Sequence, residues 1–174
     1  QRAAFIAQQS IVHREGLGEQ LLATFTARHD QLLHLLRSLG PEDWEKPCVY
    51  PGAEPRPAHQ FIPALLKELA MHAWDIWSPH APSRPLFAES LPIFLEGLPR
   101  TVALATRPDP RLRAPIRYRF AVTGAAPSQY DIVLEGDHVR MEPAGTTVAQ
   151  VRCQCDTETF VLLMYGRLAP QIAV

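Results

Sequence analysis

The sequence predicts an α+β protein in which helices come first and a sheet with one covering helix follows. Apolar side chains recur at the helical period in residues 19–39 and again in residues 59–77, whereas alternation with a period of two begins after Pro115. Because proline does not fit inside regular elements, proline clusters divide the chain into blocks. The 17 prolines of this 174-residue chain gather around residues 41–63, 79–85 and 108–115.

The first predicted helix covers residues 19–39 and ends at a Gly-Pro stop signal, and His13 before it is expected in a loop. The second runs from His59 to Trp77 and tolerates Pro63 in its first turn, where a backbone N–H would have no partner. Two amphipathic helices alone bury too little surface to form a core. Further helices or a partner chain, for example the second copy of a homodimer, must therefore complete the layer.

The second half of the chain predicts one more helix and then a sheet. Residues 86–106 have a helical pattern that Pro92 and Pro99 interrupt. Gly136 opens a two-residue turn at hairpin spacing, and Asp156 is placed to cap a final helix. Alternating segments predict four strands, at residues 116–122, 130–136, 138–143 and 147–155.

Composition and charge exclude several classes of function. Lys plus Arg (17) and Asp plus Glu (18) nearly balance, so nothing favours a nucleic acid or an anionic membrane as partner. No apolar run approaches about 18 residues, the length of a membrane span, and the first residues lack the pattern of a signal peptide. Three cysteines without a framework spacing favour a reducing cytoplasm. The sequence has no Gly-rich phosphate loop or nucleophile elbow, which argues against nucleotide-dependent and serine-hydrolase chemistry.

The residues with the clearest chemical potential lie in the stretch ELAMHAWDIW, residues 68–77. On a helix, Glu68 and His72 are about 40° apart and roughly 6 Å along the axis, so both heads can converge on one point. Asp75 lies on the same edge of the apolar stripe, whereas Lys67 is expected to point away. Imidazole and carboxylate are good zinc ligands, but a half-exposed Glu–His pair without a chemical role has the same spacing. Spacing alone leaves both alternatives open.

Three stretches carry a family resemblance: LLHLLRSLGPEDWEKP, ELAMHAWDIW and VLLMYGRLAP. Together they resemble the mycothiol-dependent maleylpyruvate isomerase family, which combines a DinB-like helical bundle with a small C-terminal α/β domain similar to the sterol carrier fold. The resemblance covers most of the chain through short motifs. It implies a partial DinB-like bundle in residues 1–80 and a sterol-carrier-like domain in residues 86–174.

The resemblance also implies a metal site. Glu68 and His72 would be two of the three ligands of a divalent metal, usually zinc, and Asp75 would hold a ligand in its orientation. The third ligand of the family is a histidine from an earlier helix. In the family this histidine precedes the segment that matches QLLHLLRSLG by a long interval, so we expect it and two helices of the bundle to lie upstream of Gln1. The alternative is a shortened fold with an incomplete metal site. His29, on the apolar face of the first predicted helix, is expected to point into the core and is the best substitute within the chain.

Arg167, in the YGR segment, matches a C-terminal arginine that is thought to bind a substrate carboxylate in this family. A bidentate guanidinium suits a dicarboxylate such as maleylpyruvate, although a cation here also complements the dipole of the last helix. The resemblance thus implies a metal-dependent isomerase or thiol transferase that acts on a small-molecule substrate. In it, a low-molecular-weight thiol such as mycothiol adds to an activated carbon of the substrate.

A second hypothesis is a non-catalytic binding module, and an assembly protein is a third. In the binding module, the sterol-carrier-like domain would hold an apolar small molecule among side chains such as Phe120, Ile132, Phe160 and Leu163.

Two further patterns are expected to be structural. Arg117 and Arg119 share the solvated face of a strand, and Cys153 and Cys155 are ordinary buried thiols.

Overall fold

The computed structural model describes residues 2–49, 54–106, 111–124 and 126–168 of the chain. The fold class is α+β, as predicted, with a helical N-terminal region followed by a mixed sheet. By its internal contacts the chain divides into two compact units, Gln1–Phe61 and Ile62–Val174. The predicted division into a bundle (residues 1–80) and a sterol-carrier-like domain (residues 86–174) rests on similarity to known families. Contacts within the chain do not test that similarity, so the division stays a prediction.

The first unit begins with two helices, α1 (Arg2–Leu17) and α2 (Leu21–Ser38), joined by a short 3-10 turn. Gly18 in this turn has a φ of 49°, a left-handed conformation that suits glycine. The position of α2 agrees with the helix predicted at residues 19–39.

Helix α1 was not predicted, and His13 lies within it rather than in a loop. Apart from Leu17 at its end, its large apolar residues occur as the adjacent pairs Phe5-Ile6 and Ile11-Val12. Neighbours on a helix are about 100° apart, so no single apolar face stands out. The sequence predicts two helices before residue 80, whereas the described residues form three α-helices there.

The rest of the first unit is short irregular structure. Strands β1 (Pro47–Cys48) and β2 (Arg56–Pro57) pair antiparallel. Residues 50–53, within the proline cluster at residues 41–63, lie outside the described residues. A 3-10 turn, Ala58–Phe61, ends the unit at the position where the second helix was predicted to begin.

The second unit combines three helices with a four-stranded sheet. The helices are α3 (Ile62–Trp77), α4 (Leu91–Ala105) and α5 (Thr157–Met164). The strands are β3 (Ile116–Thr123), β4 (Ser128–Glu135), β5 (His138–Pro143) and β6 (Val151–Asp156).

The sheet has the strand order β5-β4-β3-β6. Neighbours β5/β4 and β4/β3 are antiparallel, whereas β3 and β6 are parallel, so the sheet is mixed. Glu135 pairs with His138 across the two-residue turn that joins β4 to β5. Gly136 in this turn has a φ of 59°, which confirms the predicted hairpin and its need for glycine.

Strand β6 begins at Val151, later than the predicted Thr147. The intervening backbone has other partners: the Thr147 carbonyl accepts from Arg119 Nη2 at 2.9 Å, and Gln150 N donates to the Arg117 carbonyl at 3.1 Å. The alternating sequence pattern therefore runs into a loop that lies against the arginines of β3.

Helix α4 is continuous, so the prediction that two prolines interrupt it was wrong. Pro92 lies in the first turn, where the missing N–H has no intrahelical partner. Pro99 lies inside the helix and removes one backbone hydrogen bond. Leu98 and Val102 on either side of it are 0% and 2% exposed, and this burial holds the helix together across the proline.

One face of the sheet, α4 and α5 form the hydrophobic core of the second unit, to which α3 adds Ala70 and Met71. As predicted, Asp156 caps α5: its Oδ1 accepts from Thr159 N at 2.7 Å. The core side chains below 3% exposure are Leu86, Phe94, Leu98, Val102, Phe160 and Val161, with Val122 at 3%.

The opposite face of the sheet carries an ion-pair network instead of the predicted solvated arginines. The Asp131 side chain is 0% exposed, and those of Arg117 and Arg119 are only 14% and 17% exposed. Arg119 donates to both carboxylate oxygens of Asp131 at 2.8 Å, and Arg117 donates to Asp131 and Glu142 at 2.7 Å. The alternation correctly placed both arginines on one face, but it could not reveal the carboxylate between them.

Candidate functional site

The Glu68–His72 pair lies on the exposed side of α3. Because one helical turn separates the two residues, Glu68 Oε2 comes to 3.2 Å from His72 Nε2. The two side chains are 72% and 62% exposed. The structure therefore brings together the two residues predicted to hold a metal.

Asp75 extends the pair on the other side of the imidazole. Its Oδ2 lies 3.1 Å from His72 Nδ1. Its two oxygens also accept from Arg167, Oδ1 from Nε at 2.9 Å and Oδ2 from Nη2 at 2.8 Å. Arg167 Nη1 donates to the Tyr165 carbonyl at 2.9 Å, which fixes the guanidinium plane. These contacts form a chain of four residues, Glu68–His72–Asp75–Arg167, and we call it the polar relay.

Arg167 sets the charge of Asp75. Hydrogen bonds from this guanidinium lower the pKa of the Asp75 carboxyl, against a smaller opposing effect of burial, and His72 lowers it further. The same bidentate contact raises the pKa of Arg167. Asp75 is therefore a carboxylate at neutral pH.

An ionised Asp75 determines which ring nitrogen of His72 carries the hydrogen that lies between them. A carboxylate can only accept, so the hydrogen between the two side chains must be on His72 Nδ1. In a neutral imidazole the lone pair of Nε2 then faces a Glu68 oxygen at 3.2 Å. Two facing lone pairs repel unless a cation, either a proton or a metal ion, lies with them.

The distance between the Glu68 and His72 side chains suits two of the ligands of a divalent metal. Two ligand atoms at normal zinc distances in a tetrahedral site are about 3.3 Å apart, close to the 3.2 Å between Glu68 Oε2 and His72 Nε2. The Asp75 contact is the kind of carboxylate support that metal-binding histidines usually have. Among the residues that the structure describes, no group of three or more His, Cys, Asp or Glu side chains could hold a metal ion.

A cleft of about 430 Å³ lies beside the polar relay, between α3 and α4. Four polar residues that sequence reasoning missed line it: Lys67, Arg100, Thr101 and Tyr165. Lys67 was expected to point away from the site, but this expectation was wrong because its side chain extends across Gly97 of α4. The only sequence signal for this cleft is that Gly97 precedes Arg100 by three positions, which places both on one face of α4. Glu68, His72 and Arg167 complete the polar lining.

His29, the predicted substitute ligand, lies on α2 in the first unit. Its ring stacks on Phe25 with centroids 6.3 Å apart, and Nδ1 lies 3.6 Å from Asp30. The side chain is 42% exposed, so the prediction that it points into the core was wrong. No residue of α2 is buried, which is why an apolar stripe there does not imply a core position.

The four residues named for the binding-module hypothesis belong to the core. Phe120 and Ile132 are 6% exposed, Phe160 is 0% exposed, and Leu163 packs against the same cluster. The Phe160 ring lies 5.1 Å from that of Phe120. These side chains fill the space between the sheet and α5 with one another, and this packing gives the binding module no specific support.

The fold and the site define an α+β protein with a helical N-terminal region, a mixed sheet and a polar relay that joins α3 to the segment after α5. Residues 9–76 match the family model of the DinB superfamily. The match includes Glu68, His72 and Asp75, and it supports the DinB-like helical part that the resemblance implied. No curated protein and no solved structure gives a match. None of the helices within the described ranges is long and apolar enough to cross a membrane.

Proposed function

We propose that this protein is a metal-dependent enzyme that uses a low-molecular-weight thiol, an isomerase or thiol transferase of the maleylpyruvate isomerase type. The observation that carries the proposal is the polar relay, in which a helical Glu–His pair is supported by an ionised aspartate and a bidentate arginine. The DinB-like character of residues 9–76, which include the pair, supports it. The thiol and the isomerase type rest on the sequence resemblance.

Each member of the polar relay has a distinct role in this proposal. Glu68 and His72 would hold the metal between their nearest atoms, which are 3.2 Å apart. Asp75 accepts from His72 Nδ1 and so keeps the Nε2 lone pair directed at the metal position. When bound, a divalent metal such as zinc lowers the pKa of a thiol, which makes the thiolate available at neutral pH.

Arg167 has a positioning role first. Three of its N–H groups already donate within the protein, two to Asp75 and one to the Tyr165 carbonyl. It therefore fixes Asp75, and through Asp75 the imidazole of His72. A guanidinium has five N–H groups, so two remain for the substrate carboxylate that the resemblance assigns to Arg167.

The third metal ligand in the proposal is a histidine, with His29 as the candidate within the chain. The exposure of its side chain leaves ring nitrogens available for coordination.

The metal site is tested by titrating chelator-treated protein with zinc in a calorimeter. We expect the His72→Ala and Glu68→Gln variants to bind zinc about a hundredfold more weakly, or not at all, because each removes a ligand atom. The control is His138→Ala. His138 Nε2 also lies 3.2 Å from a carboxylate, that of Asp137, but its side chain is 85% exposed and lies far along the sequence on β5. Equal zinc affinity in wild type and His72→Ala would refute the site.

The reaction type is tested with zinc-loaded protein, mycothiol and maleylpyruvate, by following the conversion of the cis to the trans isomer. We expect conversion by wild type and His138→Ala, and none by His72→Ala. Conversion that continues at the same rate without mycothiol would contradict the thiol-dependent part of the proposal.

A further inference from the structure

Two cations in the α3–α4 cleft have no ion-pair partner among the residues that the structure describes. Lys67 and Arg100 both line the cleft, Lys67 half-buried and Arg100 exposed. By contrast, Arg167 is paired with Asp75. Glu68 is the single carboxylate among the lining residues, and its Oε2 lies 3.2 Å from His72 Nε2. The cleft therefore carries an excess of uncompensated positive charge.

Gly97 creates the place for the Lys67 ammonium. A Cβ added at residue 97 would lie 2.5 Å from Lys67 Nζ and 3.7 Å from its Cε. The lysine side chain thus lies directly against the backbone of α4, in space that any other residue at 97 would occupy. The end of the Lys67 side chain therefore lies at the cleft, next to α4.

The positions on α4 place further donors beside that ammonium. Arg100 and Thr101 follow Gly97 by three and four residues, so all three lie on one helical face. Thr101 Oγ1 lies 3.2 Å from the Gly97 carbonyl and 3.3 Å from Tyr165 Oη. When Thr101 donates its hydrogen to Tyr165 Oη, the hydrogen of the Tyr165 hydroxyl is free to be donated toward the cleft.

The same cleft has an apolar component. Ala64, Met71 and Leu104 complete its lining. Its volume of about 430 Å³ is in the range of small-molecule sites. Uncompensated cations next to apolar side chains suit a carboxylate attached to a short carbon chain better than a free inorganic anion, which has no apolar part to bury.

We propose that Lys67 and Arg100 form an anion-binding subsite that takes the carboxylate of a small organic acid. The polar relay lines the same cleft, so a ligand held there by its carboxylate extends its carbon chain along Glu68 and His72. What happens chemically to that ligand rests on the proposed function, whereas its binding does not. Binding is therefore measured on metal-free protein.

The experiment titrates ¹⁵N-labelled, chelator-treated protein with pentanoate and follows amide chemical shifts by NMR, with Gly97 as the reporter in the cleft. Pentanamide is the neutral ligand control. We expect saturable shifts with pentanoate, and at least tenfold weaker binding in Lys67→Met and in Arg100→Gln. Arg152→Gln, which removes an exposed arginine from β6, is the protein control and should bind as wild type does.

A second variant separates position from charge. Gly97→Ala keeps both cations but places a methyl group where Lys67 Nζ lies, and the flexible end of the lysine can move aside. Alanine also favours a helix more than glycine does, so the variant should be at least as stable as wild type. We expect it to bind pentanoate at least fivefold more weakly.

The outcomes separate this subsite from the metal site. Loss of zinc binding in His72→Ala with unchanged pentanoate binding supports the subsite as an independent feature. Equal affinity for pentanoate and pentanamide, or equal pentanoate affinity in wild type and both Lys67→Met and Arg100→Gln, overturns it. Inorganic phosphate that binds more tightly than pentanoate overturns the assignment to an organic acid.

Discussion

Arg167 donates two hydrogen bonds to Asp75, from Nε at 2.9 Å and Nη2 at 2.8 Å, across 92 positions of sequence. This contact joins the segment after α5 to the C-terminal half of α3. A planar guanidinium matches a carboxylate in this fork geometry, which lysine cannot reproduce. Asp75 in turn contacts His72, so a residue near the end of the described chain determines the orientation of the imidazole.

The first prediction concerns Arg167→Gln. Arg167 is the largest cause of the lowered pKa of Asp75, so we expect this pKa to rise toward the ordinary value of about 3.9 in the variant. Carboxyl ¹³C NMR titration measures it directly. If the metal site is as proposed, zinc affinity should also fall by about 10- to 100-fold, because His72 loses its fixed support. Arg152→Gln serves as the control for loss of one positive charge, and an Asp75 pKa that does not move would contradict the assigned cause.

The second prediction concerns Asp131, the buried carboxylate under the sheet. Asp131→Asn removes the charge that Arg117 and Arg119 share, and breaking a buried pair from one side costs about 3 kcal/mol. Urea unfolding should show this loss as a lower midpoint. Asp137→Asn, on the β4–β5 turn with an 89% exposed side chain, should change the midpoint little. A similar small effect in both variants would mean that the network contributes no net stability.

The same carboxylate makes stability depend on pH. Hydrogen bonds from Arg119 lower the pKa of Asp131 strongly, burial opposes this, and Arg117 lowers it further. Because the folded pKa lies below the unfolded value of about 3.9, the stabilisation is fully present above that value and decreases as the pH falls toward the folded pKa. The difference in unfolding free energy between wild type and Asp131→Asn should therefore shrink between about pH 5 and pH 2. A constant difference across this range would contradict the assigned cause.

The third prediction concerns the N-cap of α5. Asp156 Oδ1 accepts from Thr159 N at 2.7 Å. Asp156→Ala removes this cap and should lower the free energy of unfolding by about 1 kcal/mol. Asp156→Asn keeps the accepting oxygen and should retain most of the stability. Urea unfolding of both variants checks this difference. Equal losses in the two would show that the negative charge, rather than the cap hydrogen bond, is what stabilises the helix.

Much of the fold could be predicted because its signals are local. The Gly-Pro stop after α2, the Gly136 turn and the Asp156 cap each act within a few residues, so the sequence contains the whole cause. Helix α4 was harder, since Pro99 is a strong local signal against a helix and only burial of its neighbours outweighs it. The burial of Arg117 and Arg119 depends on Asp131 of another strand, a partner that no local pattern identifies.

The candidate site was predictable to the same extent. The Glu68–His72 spacing follows from helical geometry alone, and its contact was correctly anticipated. The cleft was not, because it needs α4 to lie beside α3 and needs Gly97 to make room for Lys67. Arg167 was selected by resemblance, whereas its partner Asp75 became apparent only from the packing of the second unit.

The fourth prediction concerns the third metal ligand. Within the proposed zinc site, His29→Ala should weaken zinc binding by at least tenfold, because three protein ligands define a catalytic zinc site. His34→Ala is a matched control, because it is the same substitution on the same helix at an exposed position, and it should leave the affinity unchanged. Calorimetric titration of the two variants beside wild type makes the comparison. If both bind zinc as wild type does while His72→Ala does not, the Glu68–His72 pair holds the metal with a ligand other than His29.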